Sequence, residues 1–412
     1  MKILIINVVC GIRSTGRICT DLAQILEKQG HTVKIAYGRE MVPIEYKKYA
    51  VRIGSDISVS MDALLSRVFD NAGFNNIRQT RKFLEWVREY DPDVIHLNNI
   101  HGYYINVKYL FTFLKEYGKQ PGKRIIWTLH DCWAFTGHSA LCDGSECMRW
   151  QEGCYKCPQM KEYPRAFIDR SAKNWNNKRN IFQGVSNLTI ITPSHWLKEW
   201  VKKSYLREYP VTVIPNGIDL SVFYPRSEEQ TEQLKKKYNL QKKKVLLAVA
   251  TTWTTLKGFN DYIQLSKMLD DNYRIVMIGG KSKRQKAELS ELFVNLGKRI
   301  IDLDRTGNQE EMVLWYNISE ALVNLTYCDT YPTVNVEAVA CGTPVITYRT
   351  GGSPESMLGY GKVIEKGDIN AVYDCIINNT ESSNIKDKHQ VTAIDLMDKD
   401  RALCKYVELI QN

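Results

Sequence analysis

The chain has no run of roughly 20 apolar residues, the length a helix needs to cross a bilayer, so no transmembrane segment is expected among its 412 residues. It also lacks the dinucleotide fingerprint G-x-G-x-x-G. After the first apolar run the glycines stand as Gly11-Ile-Arg-Ser-Thr-Gly16-Arg, a spacing that disfavours NAD. The opening MKILIINVVCG is read as a buried first strand rather than a secretory leader, because a glycine turn and an amphipathic helix follow at once. A cytoplasmic protein is expected, with room for contact at the inner face of the membrane.

Acidic residues are in deficit, 46 Asp and Glu against 56 Lys and Arg, for a formal net charge of +10. A basic face can meet ligand phosphates, nucleic acid or anionic lipid. Lysines cluster at 234–238 and 241–245, where a solvated surface explains them. At 194–205 they alternate with Trp196 and Trp200 in a helical pattern. That helix either lies at a membrane interface or buries its tryptophans in the core.

What is present is two rounds of strand–helix alternation. Apolar runs at 3–9, 31–37, 94–97, 124–129, 189–191 and 211–214 read as strands, with helices at 17–29, 78–90 and 107–117. The pattern restarts with strands at 245–250, 274–278, 300–303 and 321–325, and helices at 259–269, 285–296 and 310–318. Such alternation implies α/β domains with doubly wound parallel sheets. Two Rossmann-like domains are expected, 1–215 and 216–393, with a Cys-rich insertion near 138–160 and a final helix at 394–412 crossing back to the first domain.

The richest segment is 326–355, TYCDTYPTVNVEAVACGTPVITYRTGGSPE. Pro332 suits a helix start, since its missing N–H has no partner there. Gly342 and Pro344 stop the helix, and 345–348 read as the next strand. The head of that helix leaves the Thr333 and Val334 amides open to an anion. Asp329 lies just before it, and Glu337, eight positions later, one turn in. A carboxylate there can accept hydrogen bonds from a diol while the amides hold a diphosphate.

This segment resembles the acidic-x7-Glu motif of retaining glycosyltransferases of family 4, which have the GT-B fold. Asp329 stands where the family has Glu, and Tyr331-Pro332 where it has glycines. The stretch 214–225, IPNGIDLSVFYP, resembles the family's hinge signature, with Asn216 and Gly217 shaping a cleft floor. In 248–259, AVATTWTTLKGF, Lys257 matches the lysine of the family's basic pair, and Thr252 replaces its arginine. Trp253 is expected to pack near the phosphates. Gly16 matches the glycine-rich loop near donor and acceptor. The stretches 92–102, PDVIHLNNIHG, and 127–137, WTLHDCWAFTG, resemble the colanic-acid, capsule and exopolysaccharide members.

The resemblance implies a retaining glycosyltransferase that moves a hexosyl unit from a nucleotide-diphosphate sugar, UDP or GDP type, to a glycan or lipid-linked acceptor. Glu337 would hold the ribose hydroxyls, Lys257 and the helix amides the diphosphate, Asp329 the sugar hydroxyls, and His130 the transferred sugar. His101 and Asp131 are candidates for acceptor binding. No Asp-x-Asp pair of the metal-dependent type is evident, and no catalytic metal is expected. The alternatives are a GT-B epimerase or phosphorylase, and a zinc-knuckle nucleic-acid binding protein.

Eleven cysteines are present, five of them at 132–157. Cys142, Cys147, Cys154 and Cys157 read C-x4-C-x6-C-x2-C, which suits a closed tetrahedral zinc site, with His138 able to replace one ligand. The rival is a set of reduced thiols in a loop packed by Trp150 and Tyr155.

Overall fold

The computed structural model describes residues 1–296, 299–378 and 397–411, and only the backbone of Cys142, Asp143 and residues 292–296. The chain forms two compact units. One comprises Met1–Ile214 together with the chain from Leu403 onward, and the other Pro215–Ala402.

The strands of unit one are β1 (Lys2–Asn7), β2 (Thr32–Tyr37), β3 (Ala50–Arg52), β4 (Val94–Leu97), β5 (Arg124–Thr128), β6 (Leu188–Thr192) and β7 (Val211–Val213). They pair in the order 3-2-1-4-5-6-7, all parallel. Their apolar runs are continuous because both faces of a parallel sheet are covered by helices. Leu4, Leu97, Ile125 and Trp127 pack against Phe111 and Phe182 on the flanking helices. The strand order reverses between β1 and β4, and the loops beyond their carboxyl ends are where open α/β sheets bind ligands.

Unit two repeats the plan. Its strands are β8 (Lys244–Thr252), β9 (Tyr273–Gly280), β10 (Ile300–Leu303), β11 (Ser319–Asn324), β12 (Val345–Tyr348) and β13 (Gly361–Ile364), in the order 10-9-8-11-12-13. Successive residues alternate between two cores. Val245 and Leu247 face one, and Leu246 and Ala248 the other. The order reverses between β8 and β11, so the loops after these two strands are the favoured ligand side.

Several elements depart from the sequence reading. The first helix is Arg13–Lys28, so Gly16 lies in its first turn rather than in a loop. The stretch between β2 and residue 78 carries β3 and a helix at Asp56–Phe69, neither of which the apolar pattern announces. That helix packs Val59 on the core but buries Asp62 and Ser66 most deeply and leaves Ile57, Met61, Leu64, Leu65 and Phe69 exposed, so its periodicity is largely inverted. The helix His195–Lys203 puts Trp200 in the core, stacked between Trp150 at 4.9 Å and Trp196 at 4.4 Å. The membrane reading of this helix is therefore set aside, because its aromatic face is already packed. The last helix, Lys399–Gln411, packs on unit one, with the Tyr406 ring 5.5 Å from His96. Residues 394–396, expected to begin it, lie outside the described residues.

A buried amide network fastens the 333–340 helix to its sheet. Asn324 Nδ2 donates to Asn335 Oδ1 at 2.8 Å, and Asn335 Nδ2 donates to Ser356 Oγ at 3.0 Å. Replacing Asn335 by Ala strands the Asn324 amide in a closed site. The expected cost is about 1–3 kcal/mol, read as a lower denaturation midpoint; an unmoved midpoint would show that the network is idle.

Candidate functional site

In unit two the loops after β8 and β11 meet. Lys257 ends a single 3-10 turn, Thr255–Lys257, and its Nζ donates to Asp329 Oδ2 at 2.7 Å and to Thr326 Oγ1 at 3.4 Å. Two glycines make this approach possible. Gly258 has φ +75°, and a Cβ there would stand 2.2 Å from the Leu325 carbonyl oxygen. Gly351 has φ +52°, and a Cβ there would stand 1.9 Å from the Asp329 carbonyl oxygen. Only residues without a side chain allow both contacts.

The pair sits at the surface of unit two, with side-chain exposures of 34% for Lys257 and 24% for Asp329. Burial opposes the charge on Lys257, but the adjacent Asp329 carboxylate outweighs it, and the ammonium ends above the ordinary lysine range. The helix Thr333–Ala340 starts four residues after Asp329 with Pro332 at its N-cap and no side-chain cap. The amides of Thr333 and Val334 head this helix, with its positive dipole end toward the acidic loop. One turn in, Glu337 Oε2 accepts the Tyr316 hydroxyl at 2.7 Å. Burial, and then the charge of Glu337, hold that phenol well above its usual pKa, so it remains a donor.

In unit one the loops after β4 and β5 bring three predicted residues together. His101 Nε2 lies 2.8 Å from Asp131 Oδ2, and its Nδ1 lies 3.1 Å from the Tyr163 hydroxyl. His130 Nε2 lies 3.0 Å from Asn98 Oδ1. Asn98, His101, His130 and Asp131 line one small depression. Burial raises the Asp131 carboxyl, and the charge and hydrogen bond of His101 outweigh it, leaving it below the usual range. Burial pushes the His130 imidazole down to about 4, with Asp131 opposing and His101 adding to the fall.

Other predicted residues do different work. Gly16 packs its helix onto the preceding loop, where its carbonyl accepts the Gly11 N–H at 3.1 Å. Asn216 is half-buried and stands at the start of unit two. The next residues run beside 397–399, with Ile218 N–H on the Met397 carbonyl at 2.8 Å and Lys399 N–H on the Ile218 carbonyl at 3.0 Å. Trp253 is buried edge-on to Tyr262 at 5.1 Å, so it supports the Lys257 loop from the core. Literal Asp-x-Asp triplets do occur at 91–93, 302–304 and 398–400; in the last, Asp398 Oδ1 accepts the Asp400 N–H at 2.9 Å. The first two are spent on ion pairs: Asp91 with Lys123 at 2.7 Å, Asp302 with Lys281 and Asp304 with Lys286, both at 2.6 Å.

The cysteine cluster is partly visible. Cys142's side chain lies outside the described residues. Cys154 Sγ accepts the Gly137 N–H at 3.2 Å, and burial pushes the Cys154 thiol up to about 11 and that of Cys157 up to about 12. Among the described residues, no three His, Cys, Asp or Glu side chains are grouped to hold a metal. His138 Nδ1 lies 2.5 Å from Asp70 Oδ1, both buried, and its Nε2 has no hydrogen-bond partner among the described residues.

Sequence reasoning missed Tyr316, Tyr163, Thr326 and Asn98, which orient Glu337, His101, Lys257 and His130. Asn98 was the one with a signal, since it follows directly on β4. The partners of the others lie 21, 62 and 69 positions away in sequence.

The depressed pKa of His130 sets a pH dependence. Between about 4 and 6.5 the unfolded imidazole binds a proton that the folded one does not. Stability from this group is therefore complete above about pH 6.5 and is lost as pH falls toward 4. Denaturation midpoints should fall across that window, where buried His96, pushed down to about 3, adds to the loss, and His130→Asn should lessen the fall; an equal slope in the variant would remove His130 as a source.

Comparison with known proteins follows the same two units. The model of Glycosyltransferase Family 4 matches residues 15–222, half of the chain, and that of Glycosyl transferases group 1 matches residues 230–389. The putative colanic acid biosynthesis glycosyl transferase WcaC of Escherichia coli K12 is 26% identical over 379 residues, 90% of this chain and 88% of that protein. Sucrose-phosphate synthase from Thermosynechococcus elongatus superposes with a TM-score of 0.69 at 15% identity, covering 100% of this chain and 98% of that one. Anabaena HepE, solved in complex with UDP-glucose, gives 0.66 at 14% identity, covering 100% and 99%. The fold is GT-B, and the protein is an enzyme that transfers glycosyl groups. The chain belongs to glycosyltransferase family 4.

Proposed function

We propose that this enzyme takes a hexosyl unit from a nucleotide-diphosphate sugar and adds it, with retention and without a catalytic metal, to a glycan or lipid-linked saccharide of a surface polysaccharide. The observation that carries the reading is the Lys257–Asp329 pair at the head of the 333–340 helix, with Glu337 one turn in. The likeness to WcaC supports the polysaccharide class, and HepE with UDP-glucose supports a UDP donor.

The chemistry follows from charge. Negative charge develops on the leaving diphosphate, and donors fixed in advance at that point are the main source of rate. Lys257 and the Thr333 and Val334 amides are such donors. The diphosphate competes with Asp329 for the ammonium, which frees that carboxylate for sugar hydroxyls. Glu337, steadied by Tyr316, accepts the two hydroxyls of the ribose. His130, neutral at pH 7, positions the transferred sugar. His101 and Asp131 receive the acceptor. Attack on the face the diphosphate leaves retains configuration and needs no protein nucleophile. The positive charge that a metal would bring is supplied by lysine and helix dipole.

A structural zinc on Cys142, Cys147, Cys154 and Cys157 is the second part of the proposal. Cys147 raises the pKa of Cys154, and Cys154 that of Cys157, so these thiols are electrostatic neighbours. Element analysis of purified protein is expected to return about one zinc per chain; under about half an equivalent overturns this part.

A screen of nucleotide sugars for released nucleotide tests the donor. With the active donor, Glu337→Ala is expected to lose roughly 100-fold or more in rate, the worth of two hydrogen bonds to a carboxylate, while its circular dichroism stays unchanged. Near-normal turnover would reject the assigned site. Chelation by EDTA should leave the rate intact, and an α-linked product from an α-linked donor should be seen by NMR; a metal requirement or inversion would each reject that element of the reading.

A further inference from the structure

Lys178 is a charge in the core of unit one. It lies on the inward stripe of the helix Ser171–Phe182, with Asn174, Trp175 and Phe182, and is 1% exposed. Its Nζ donates to the Trp133 carbonyl at 2.8 Å and to the Thr136 carbonyl at 3.1 Å, and stands 3.5 Å from the centre of the Trp133 ring. Neither acceptor is a carboxylate. Burial drags the ammonium down to about 7, against the attraction of Asp70, Cys154 and Asp131. A methionine would fill the same stripe without that penalty, so packing does not account for a lysine.

The ammonium holds the turn that shapes the depression beyond β4 and β5. The Cys132 carbonyl accepts the N–H groups of Phe135 and Thr136, both at 3.2 Å, which closes the turn. Asp131 stands at its head: Oδ1 accepts the Trp133 N–H at 2.9 Å, and Oδ2 lies 2.8 Å from His101 Nε2. The Trp133 ring lies 5.4 Å from the His101 ring and lines the depression with it. Trp133 is therefore fixed at its N–H by Asp131 and at its carbonyl and ring by Lys178, while its ring packs on His101. A cation on carbonyl oxygens and on an indole face, out of water, is a strong and directional hold. Without it two buried carbonyls lose this donor, and the turn that follows Asp131 loses its anchor on the 171–182 helix.

We propose that Lys178 is a positioning residue for acceptor recognition: it locks the 132–136 turn against the 171–182 helix and so keeps Asp131 in register with His101. Lys178 is not among the residues that line the depression. It acts through Trp133 and not on a ligand. The inference rests on the assignment of His101 and Asp131 to the acceptor.

Two variants of the full-length protein carry the test, each checked for folding by circular dichroism. Lys178→Met has similar length and no charge. Lys178→Gln keeps an N–H donor and takes its place if Lys178→Met does not fold. In nitrogen–proton correlation spectra of the histidine rings, the wild type is expected to show the Nε2 proton of His101 held on Asp131, identified by its loss in His101→Asn. In Lys178→Met that signal should vanish or shift. Transfer is followed with a panel of p-nitrophenyl hexosides as acceptor probes. For a glycoside that accepts a glycosyl group, KM should rise about tenfold or more in Lys178→Met, the effect of a small misplacement of a binding group, with kcat changed less. Lys178→Gln should lie between wild type and Lys178→Met in both readouts. A wild type that lacks the His101 proton, or a Lys178→Met that keeps it unchanged, overturns the proposal; if no glycoside of the panel is used, the spectra alone decide. A lost signal with an unchanged KM overturns it as well, and places the fault in the acceptor assignment rather than in the hold on the turn.

Discussion

The ammonium of Lys257 against the carboxylate of Asp329 organises unit two's site. The two groups come from loops after neighbouring strands, β8 and β11, which are adjacent only because the sheet reverses its order between them. Their meeting depends on two glycines in left-handed conformations whose missing side chains let backbone pass within contact distance. A half-exposed ion pair contributes little to stability. Its value is positional: it holds a cation at the head of an uncapped helix, where anions are already favoured. The same lysine stands without the family's arginine, so under the proposed function a single point charge, rather than a lysine with a two-pronged guanidinium, would face the diphosphate.

Unit one solves a different problem with the same topology. Beyond β4 and β5 it collects imidazoles, a carboxylate and an asparagine. Burial there removes the proton from His130 but leaves Asp131 charged, because His101 shares its hydrogen bond. Two ionisable groups one position apart thus hold opposite tendencies. That separation lets one neutral ring and one anion coexist in a single small depression, which suits the recognition of neutral hydroxyls.

Much of this was legible from residue order. Continuous apolar runs between helical patterns imply parallel sheets, and Pro332 with Gly342 brackets the helix that carries Glu337 to within a residue. Where the reading failed, packing had overruled pattern. The pattern of 195–203 left interface and core equally open, and Trp150, far along the chain, decided for the core by stacking on Trp200. The helix at 56–69 gives no amphipathic signal of the usual sense, since its most deeply buried residues, Asp62 and Ser66, are polar and only Val59 among its large apolar residues packs on the core; Asn75 and Asn76 make the buried Asp62 tolerable.

By itself the sequence determined the class of fold and the helix start that can face an anion, with Asp329 and Glu337 on either side of it, because these depend on local spacing, on proline and glycine, and on periodicity; Lys257 was marked by resemblance to the family's motif. Only the tertiary structure decided that Lys257 reaches Asp329, that Tyr316 steadies Glu337, that His101 is held between Asp131 and Tyr163, and which helix leaves its apolar side in solvent. Those outcomes depend on strand order and on partners tens of residues apart, and a one-dimensional pattern contains neither the distance between them nor the burial that sets their charge.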